Sequence, residues 1–480
     1  MKNQLNSLKE QDFVKKIIKA HPQAEIFLVG GMVRDALLNR PSKDYDIVIT
    51  DVPINTLAKT LKTIGSVNLV GKRFGVFKLK PKKWTGGEID IALPRTEHVL
   101  AGNGAYKDFI VQSDHLLKIE DDLSRRDFTI NAMAWDLKNK KLVDPFDGQK
   151  DLKSKIIKTV GEPKKRFAED YSRMLRAIRF ACQLDFTIDK KSFSAIKQNI
   201  KKIDVEVDGQ KIIASEIIAK ELNKALIANP VKAIDLLEKS QALNILMPEL
   251  LKMKKCPQLK QWHSEGDVWT HTILALKNLN TKSTQNKFGK DFSAELIWAL
   301  LFHDAGKPET IIKKDRIRFP GHDISSMKIF TVVANRLKLS SAGVDIEKTA
   351  KIIKHHMMAG PAVKTMKDTT IEKYFFNPTF PGKDLLIHLY ADTSASLRPN
   401  GKPDLTDYKA LEKRINKISI TSKNQKTLPK PLIDGNDIIK KYKLLPSRKI
   451  GDLLEIAREA QLNKKIKTKN QALELLKKYL

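Results

Sequence analysis

Leu28-Val29-Gly30-Gly31-Met32-Val33-Arg34-Asp35-Ala36-Leu37-Leu38, followed after a polar interval by Asp44-Tyr45-Asp46, is the stretch that decides the fold. The apolar run Ile26-Phe27-Leu28-Val29 reads as a strand, Gly30-Gly31 as a turn, Met32–Leu38 as a helix and Tyr45–Ile49 as a second strand. Further strand-like runs at Val67–Val70, Gly75–Leu79 and Glu88–Leu93 predict a mixed α/β sheet over residues 1–150. Beyond it the pattern turns helical. Lys164–Leu251 reads as successive amphipathic helices, with Met174, Leu175, Ile178 and Phe180 on a buried stripe. Pro399–Leu432 reads as a connector to a helical tail, Lys449–Leu480.

Asp44 and Asp46 stand two apart in a strand, so their carboxylates project from one face. Phosphoryl transfer through two Mg²⁺ ions needs carboxylates that hold the metals while a hydroxyl is activated and a leaving pyrophosphate is steadied. An isolated Asp-x-Asp is more often a solvated loop. Upstream, the Gly30-Gly31 turn has no side chains, so backbone N–H groups can approach a triphosphate ahead of a helix N-terminus, with Arg34 in reach of the phosphates; a glycine pair alone is weak evidence, since turns use glycine for conformation, and the full string carries the weight. A third acid is expected in Glu88-Ile89-Asp90-Ile91-Ala92, where alternation puts Glu88 and Asp90 on one face; Asp90 is the choice.

The string from Leu28 to Asp46 resembles the signature of class II tRNA nucleotidyltransferases and the related bacterial poly(A) polymerases. Arg125-Arg126-Asp127-Phe128-Thr129-Ile130-Asn131-Ala132-Met133-Ala134 and Glu169-Asp170-Tyr171-Ser172-Arg173-Met174-Leu175-Arg176-Ala177-Ile178-Arg179-Phe180 match two further motifs of that family. The resemblance implies that Asp127 and Asn131 read the ribose 2′-hydroxyl of the incoming nucleotide, that Arg126 helps to neutralise phosphate, and that Arg176 and Arg179 meet triphosphate or RNA. It also implies an α+β head followed by helical neck, body and tail, with helix dominating overall, and in-line attack of the RNA 3′-hydroxyl on the α-phosphate of CTP or ATP.

Asp170 and Arg173 support base selection without the family. Three apart on a predicted helix, they are surface neighbours that set a carboxylate acceptor beside guanidinium donors. Cytosine and adenine each present an amino donor next to a ring-nitrogen acceptor, which matches; guanine and uracil present the reverse order and would leave two buried polar groups unpaired. The plain alternative is an intrahelical ion pair. Pro94-Arg95-Thr96-Glu97 through Gly102, Gly104 and Asp114 has no strong periodicity and reads as a mobile loop. In the family a loop here is linked to the switch from C to A addition. It reads Glu97-His98-Val99-Leu100 where the family pattern has an aromatic after the Glu. Addition of C, C and A to tRNA is the expectation, with CC-only or A-only addition and poly(A) synthesis as alternatives.

Seven of the ten histidines fall between His263 and His388, on helical patterns such as Ala294–Phe302, which predicts a helical domain organised around metal. The order His271, His303-Asp304, His322, His355-His356, Asp392 resembles the HD phosphohydrolase superfamily. By that resemblance His271, His303, Asp304 and Asp392 are the core ligands, and His322 with His355 or His356 binds a second ion or the substrate phosphate. Such a mixed set suits a divalent transition metal such as Ni²⁺ or Mn²⁺. A hydrolytic side activity on nucleotide 2′ or 3′ phosphates is implied. A second alternative for the whole protein is a nucleotide hydrolase with an RNA-binding head.

The bulk numbers agree. Eighty-eight Lys+Arg against 56 Asp+Glu give a formal charge of +32, which points to a polyanion such as RNA. No window is apolar enough to span a membrane, Met1–Lys9 lacks a secretory signal, and Cys182 and Cys256 form no disulfide framework, so a cytoplasmic protein is expected. No protein partner is evident. The expected division is a head at 1–150, neck and body at 151–260, an HD domain at 261–400, and a connector with a helical tail at 401–480.

Overall fold

The computed structural model describes residues 5, 11–42, 45–70, 76–82, 84–99, 109–207, 209–360, 363, 365–420 and 429–479. Asp44 lies outside the described residues. The chain divides into two compact units, residues 1–246 and 247–480.

The first unit is built on a seven-stranded sheet. Its strands are β1 (Ile26–Val29), β2 (Tyr45–Ile49), β3 (Gly65–Val70), β4 (Val76–Pro81), β5 (Ile89–Ala92), β8 (Ala134–Asp136) and β9 (Lys141–Val143), in the order β3-β4-β5-β2-β1-β8-β9. All four residues of β1 are buried, which is why its sequence is apolar on both faces. Helix α1 (Gly31–Leu37) leaves β1 directly, and α2 (Ile119–Ser124) contributes Ile119 and Leu123 to a cluster with Phe27, Val29 and Val48. β2 and β5 run parallel; the other strand pairs in this sheet are antiparallel.

The stretch expected as a mobile loop contains an antiparallel hairpin, β6 (Arg95–Val99) with β7 (Phe109–Ser113). Backbone pairing needs no apolar alternation, so the composition carried no sign of it. Beyond the sheet come α3 (Pro163–Glu169), α4 (Ser172–Leu184) and α5 (Ser215–Ala228), with α5 packed on α4. Eleven residues of α4 are buried, including Arg173 and Arg179, so it is an interior helix and not one with a single buried stripe.

The second unit is helical. α6 (Val268–Asn278), α7 (Ala294–Phe302), α8 (His322–Arg336), α9 (Ile346–Lys354) and α10 (Gly382–Ala395) surround a shared core. α7 is apolar all round, Leu296 through Phe302 are buried, and Ser293 caps it by accepting from Leu296 N. The expected connector holds a helix of its own, Thr406–Ile420, anchored by buried Tyr408 and Leu411. The tail forms helices at Gly435–Tyr442, Arg448–Leu462 and Lys469–Leu476 around Ile438, Leu453, Ala472 and Leu476. Both cysteines are free and buried. Among the described residues no helix is long and apolar enough to cross a membrane.

Candidate active site and metal centre

Gly30 ends β1 at φ 71°, ψ −133°, a conformation that a side chain disfavours. A Cβ there would come within 2.7 Å of Arg126 Nη1 and 3.8 Å of Asp46 Oδ2. The bare turn thus lets a guanidinium and a carboxylate close in from two sides. A cavity of about 740 Å³ opens beside it, lined by Gly30, Gly31, Arg34, Asp46, Asp90, Arg126, Asp127, Asn131, Asp170, Arg173, Arg176 and Arg179. Among the described residues, every expected catalytic and nucleotide-binding residue is brought together there.

Asp46 and Asp90 are register partners across the parallel β2–β5 ladder, so their backbones stand one strand spacing apart, about 4.8 Å, with both side chains on one face of the sheet. Across the next strand Lys78, partner of Asp90 in β4, donates to Asp90 Oδ1 at 3.0 Å. Glu88 lies just before β5 and is 3.8 Å from Lys78. Asp90 is therefore the acid that faces Asp46. Adjacent carboxylate oxygens on a polar cavity fit a hard divalent ion such as Mg²⁺.

The arginines are held by partner side chains, of which Asp122 and Glu221 lie outside the motifs. Arg34 pairs with Asp35 and donates to Asn131 Oδ1 at 2.8 Å; Arg126 donates to buried Asp122 at 3.1 Å; Arg179 meets Glu221 of α5 at 2.5 Å. The Phe180 ring has Arg34, Arg176 and Arg179 at 5.2, 5.7 and 3.9 Å from its centroid. Paired this way, several like charges stay together and pre-oriented toward one cavity.

Both oxygens of Asp127 are engaged within the protein. Its Oδ1 accepts from Phe128 N and Asn131 Nδ2, and its Oδ2 accepts from Arg176 Nε and Nη2 at 2.9 and 2.6 Å. These four bonds occupy the acceptor sites of a carboxylate. Burial works to raise its pKa, but the Arg176 guanidinium and the Asn131 hydrogen bond outweigh it and hold it at about 2. A depressed carboxylate stabilises the fold above its unfolded pKa, so this contribution, about 2 kcal/mol, is lost as pH falls from about 4 through 2. In urea unfolding the stability gap between wild type and Asp127→Asn is expected to shrink across that range; a gap independent of pH contradicts the assignment.

Asp170 and Arg173 do not share a helix. Asp170 is extended, at φ −149° and ψ 105°, and accepts from Ser172 N at 2.9 Å, while Arg173 lies in the first turn of α4. A backbone bond from Arg173 N to Asp170 O, 3.1 Å, keeps them adjacent. Arg173 Nη1 donates to Glu169 Oε2 at 2.5 Å and to Arg166 O at 3.1 Å, so Glu169 aims the guanidinium.

In the second unit α6 supplies His271, the end of α7 His303 and Asp304, the start of α8 His322, the turn after α9 His356, and α10 Asp392. Four imidazoles have Nδ1 tied back: His271 to Glu265 Oε1 at 2.9 Å, His303 to Leu300 O at 2.8 Å, His322 to Phe319 O at 2.8 Å and His356 to Ile353 O at 2.7 Å. Nε2 is then the inward atom in each. His271 Nε2 and His303 Nε2 lie 2.9 and 3.7 Å from Asp392 Oδ1; His322 Nε2 and His356 Nε2 lie 3.4 and 3.7 Å from Asp304 Oδ1. Asp304 stands between two groups, His271–His303–Asp392 and His322–His356.

His303 Nε2 and Asp304 Oδ1 are buried without a hydrogen-bond partner. Each orphaned group costs about 1–3 kcal/mol, which a bound cation would remove. Burial pushes His322 down to about 4 against the pull of Asp304, leaving a neutral ring whose lone pair faces the cluster. The donor set fits a divalent transition metal. His355 is corrected out of it: its Nδ1 bonds Lys351 O at 2.9 Å and its ring packs on Tyr374 and Phe380. Lys307, which donates to Asp304 Oδ2 at 2.7 Å, and buried His388, 5.1 Å from the His303 ring, had no assigned role.

A model described as the poly A polymerase head domain matches residues 26–158, and one described as the probable RNA and SrmB-binding site of polymerase A matches residues 185–254. A multifunctional CCA protein of Neisseria gonorrhoeae is 36% identical over 316 residues, 65% of this chain and 70% of that protein. An A-adding tRNA nucleotidyltransferase of Deinococcus radiodurans is 30% identical over 450 residues, 93% of each. Among solved structures, the Bacillus stearothermophilus CCA-adding enzyme in complex with CTP matches with a TM-score of 0.62 at 22% identity, covering 98% of each chain. The Thermotoga maritima CCA-adding enzyme complexed with tRNA matches at 0.58 and 21% identity, covering 96% of this chain and 93% of that one. These structural likenesses show the fold.

Fold and site together define a nucleotidyltransferase. The chain belongs to the class II family of CCA-adding tRNA nucleotidyltransferases and poly(A) polymerases.

Proposed function

We propose that the protein adds C, C and A to the 3′ end of tRNA without a template, using CTP and ATP in the cytoplasm. The observation that carries this is the placing of Asp46 and Asp90 side by side next to the Gly30 turn, in one cavity with Asp170 and Arg173. The RNA 3′-hydroxyl attacks the α-phosphate, a new P–O bond forms, and pyrophosphate leaves. Mg²⁺ held by Asp44, Asp46 and Asp90 would supply charge stabilisation in this transfer. The Gly30-Gly31 amides, Arg34, Arg126, Arg176 and Arg179 bind the triphosphate, Asn131 donates to the ribose with Asp127 holding it in place, and Asp170 with Arg173 reads the base. Residues 1–150 serve as head, 151–260 as neck and body, and 401–480 as connector and tail that hold tRNA.

The Deinococcus radiodurans A-adding relative, aligned over 93% of the chain, favours A-only addition as a second reading. Product length from tRNA ending at the discriminator base and from tRNA ending in CC separates the two. Three added residues on the first support CCA synthesis; a single A on the second with none on the first supports A addition. A long A tail, or no addition to either, refutes both.

Residues 261–400 form an HD-type hydrolase acting on nucleotide 2′ or 3′ phosphates with Ni²⁺ or Mn²⁺. His271, His303, Asp304, His322, His356 and Asp392 would hold the metal, which when bound polarises the phosphate ester toward hydrolysis. Turnover of 2′,3′-cyclic AMP with Mn²⁺ or Ni²⁺ is expected to vanish in the His303→Ala, Asp304→Ala double variant. Absent turnover in wild type, or turnover untouched in the variant, rejects this part.

A further inference from the structure

We propose that Glu265 is the positioning residue of the His271–Asp304–Asp392 cluster: its carboxylate holds His271 with Nε2 turned inward and ties it to the segment after α10. This rests on the reading of that cluster as a metal centre.

Glu265 lies in the loop before α6, and its side chain is 2% exposed. One oxygen, Oε1, accepts from His271 Nδ1 at 2.9 Å and from His263 Nδ1 at 2.7 Å; the other accepts from Leu397 N at 2.9 Å. The loop is stitched to the same segment by Ser264 N to Leu397 O, 2.8 Å, and Ser264 Oγ to Arg398 O, 2.7 Å. Leu397 follows the helix that carries Asp392, whose Oδ1 is 2.9 Å from His271 Nε2. A single buried carboxylate therefore registers the α6 histidine against the α10 aspartate. With Nδ1–H given to Glu265, the lone pair of the neutral His271 ring falls on Nε2, and the ring cannot swing away without stranding a buried charge. A carboxylate behind an imidazole fixes its tautomer and raises its basicity as a ligand.

His263, Glu265 and His271 could instead hold an ion among themselves. The geometry disfavours this. Both ring nitrogens meet one carboxylate oxygen at N–H···O distances, and an ion bound at His271 Nδ1 would force that imidazole to bridge two cations.

The experiment is a Co²⁺ titration of the full-length protein, read by calorimetry and by the visible absorption of the bound ion. Wild type, Glu265→Ala and Glu265→Gln are compared, with nucleotidyl transfer to tRNA as the check on the first unit. Glu265→Ala is expected to weaken Co²⁺ binding about 10- to 100-fold and to change the absorption band. Glu265→Gln keeps one oxygen that can accept from the imidazole N–H groups but loses the charge and the acceptor for Leu397 N, and is expected to lie between; being isosteric, it decides the matter if the Ala variant does not fold. Wild-type affinity and an unchanged band in the Gln variant, and in the Ala variant where it folds, overturn the inference while leaving the metal centre intact. Failure of wild type to bind Co²⁺, or binding unaffected by His303→Ala, overturns the metal-centre reading beneath it. Loss of one whole Co²⁺ equivalent in both Glu265→Ala and His263→Ala shows the carboxylate to be a ligand and overturns positioning.

Discussion

Replacing Asp46 by Ala is expected to lower kcat for CTP and ATP incorporation into tRNA by about 10²–10³-fold or more, with a smaller change in KM. The size follows from removing a pre-oriented group that acts where charge develops in the transition state. Asp46 sits at the start of β2, where the strand is only partly buried, so the substitution leaves the apolar interior of the sheet untouched. Asp90→Asn should act in the same direction, because Asp90 is its register partner. Glu88→Ala should stay within about twofold, since Glu88 precedes β5, does not line the cavity and makes only a long, exposed ion pair with Lys78. Steady-state rates on a defined tRNA transcript check all three. Full activity in Asp46→Ala, or equal loss in Glu88→Ala, would mean that the wrong carboxylates have been assigned.

The second large effect concerns choice of base. Asp170→Ala removes the acceptor, and Arg173→Ala the donors, that match cytosine and adenine. Each lost complementary hydrogen bond is worth about 1–3 kcal/mol in a buried site, so preference for CTP over UTP should fall about 10- to 100-fold. The ratio of kcat/KM values for the two nucleotides reads this directly. Glu169 and Arg166 O also hold the Arg173 guanidinium, so Arg173→Ala also breaks these bonds and leaves partly exposed Glu169 to Arg166 alone. Asp170→Ala, which loses one bond to Ser172 N, is therefore the cleaner probe. Unchanged selectivity in it removes the base-reading role.

What was legible in the sequence was short in range. The strand, bare turn and helix from Ile26 to Leu37 follow one another along the chain, and each carries its own local signal. Alternation put Glu88 and Asp90 on one face, but only the β2–β5 register distinguishes the acid that meets Asp46. The partners that aim the arginines were hidden because they come from far away: Asn131 lies 97 residues from Arg34, Asp127 49 from Arg176, and Glu221 42 from Arg179. No spacing rule reaches that far. Asp170 and Arg173 were expected on one helix because the string around them has helical composition; the break falls at Asp170, whose carboxylate accepts from the backbone two residues on. His355 and His356 show a different limit. His355 caps α9 in a non-helical conformation and His356 opens the turn after it, so one ring meets the cluster and the other meets Tyr374 and Phe380, and helical periodicity alone did not say which.

The most direct measurement is a crystal structure of the protein grown with CTP and Mn²⁺, with data collected at the manganese edge. Anomalous density is expected between the Asp46 and Asp90 carboxylates and the triphosphate, with the cytosine edge against Asp170 and Arg173. Well-ordered CTP bound elsewhere, or manganese density away from both carboxylates, would contradict it.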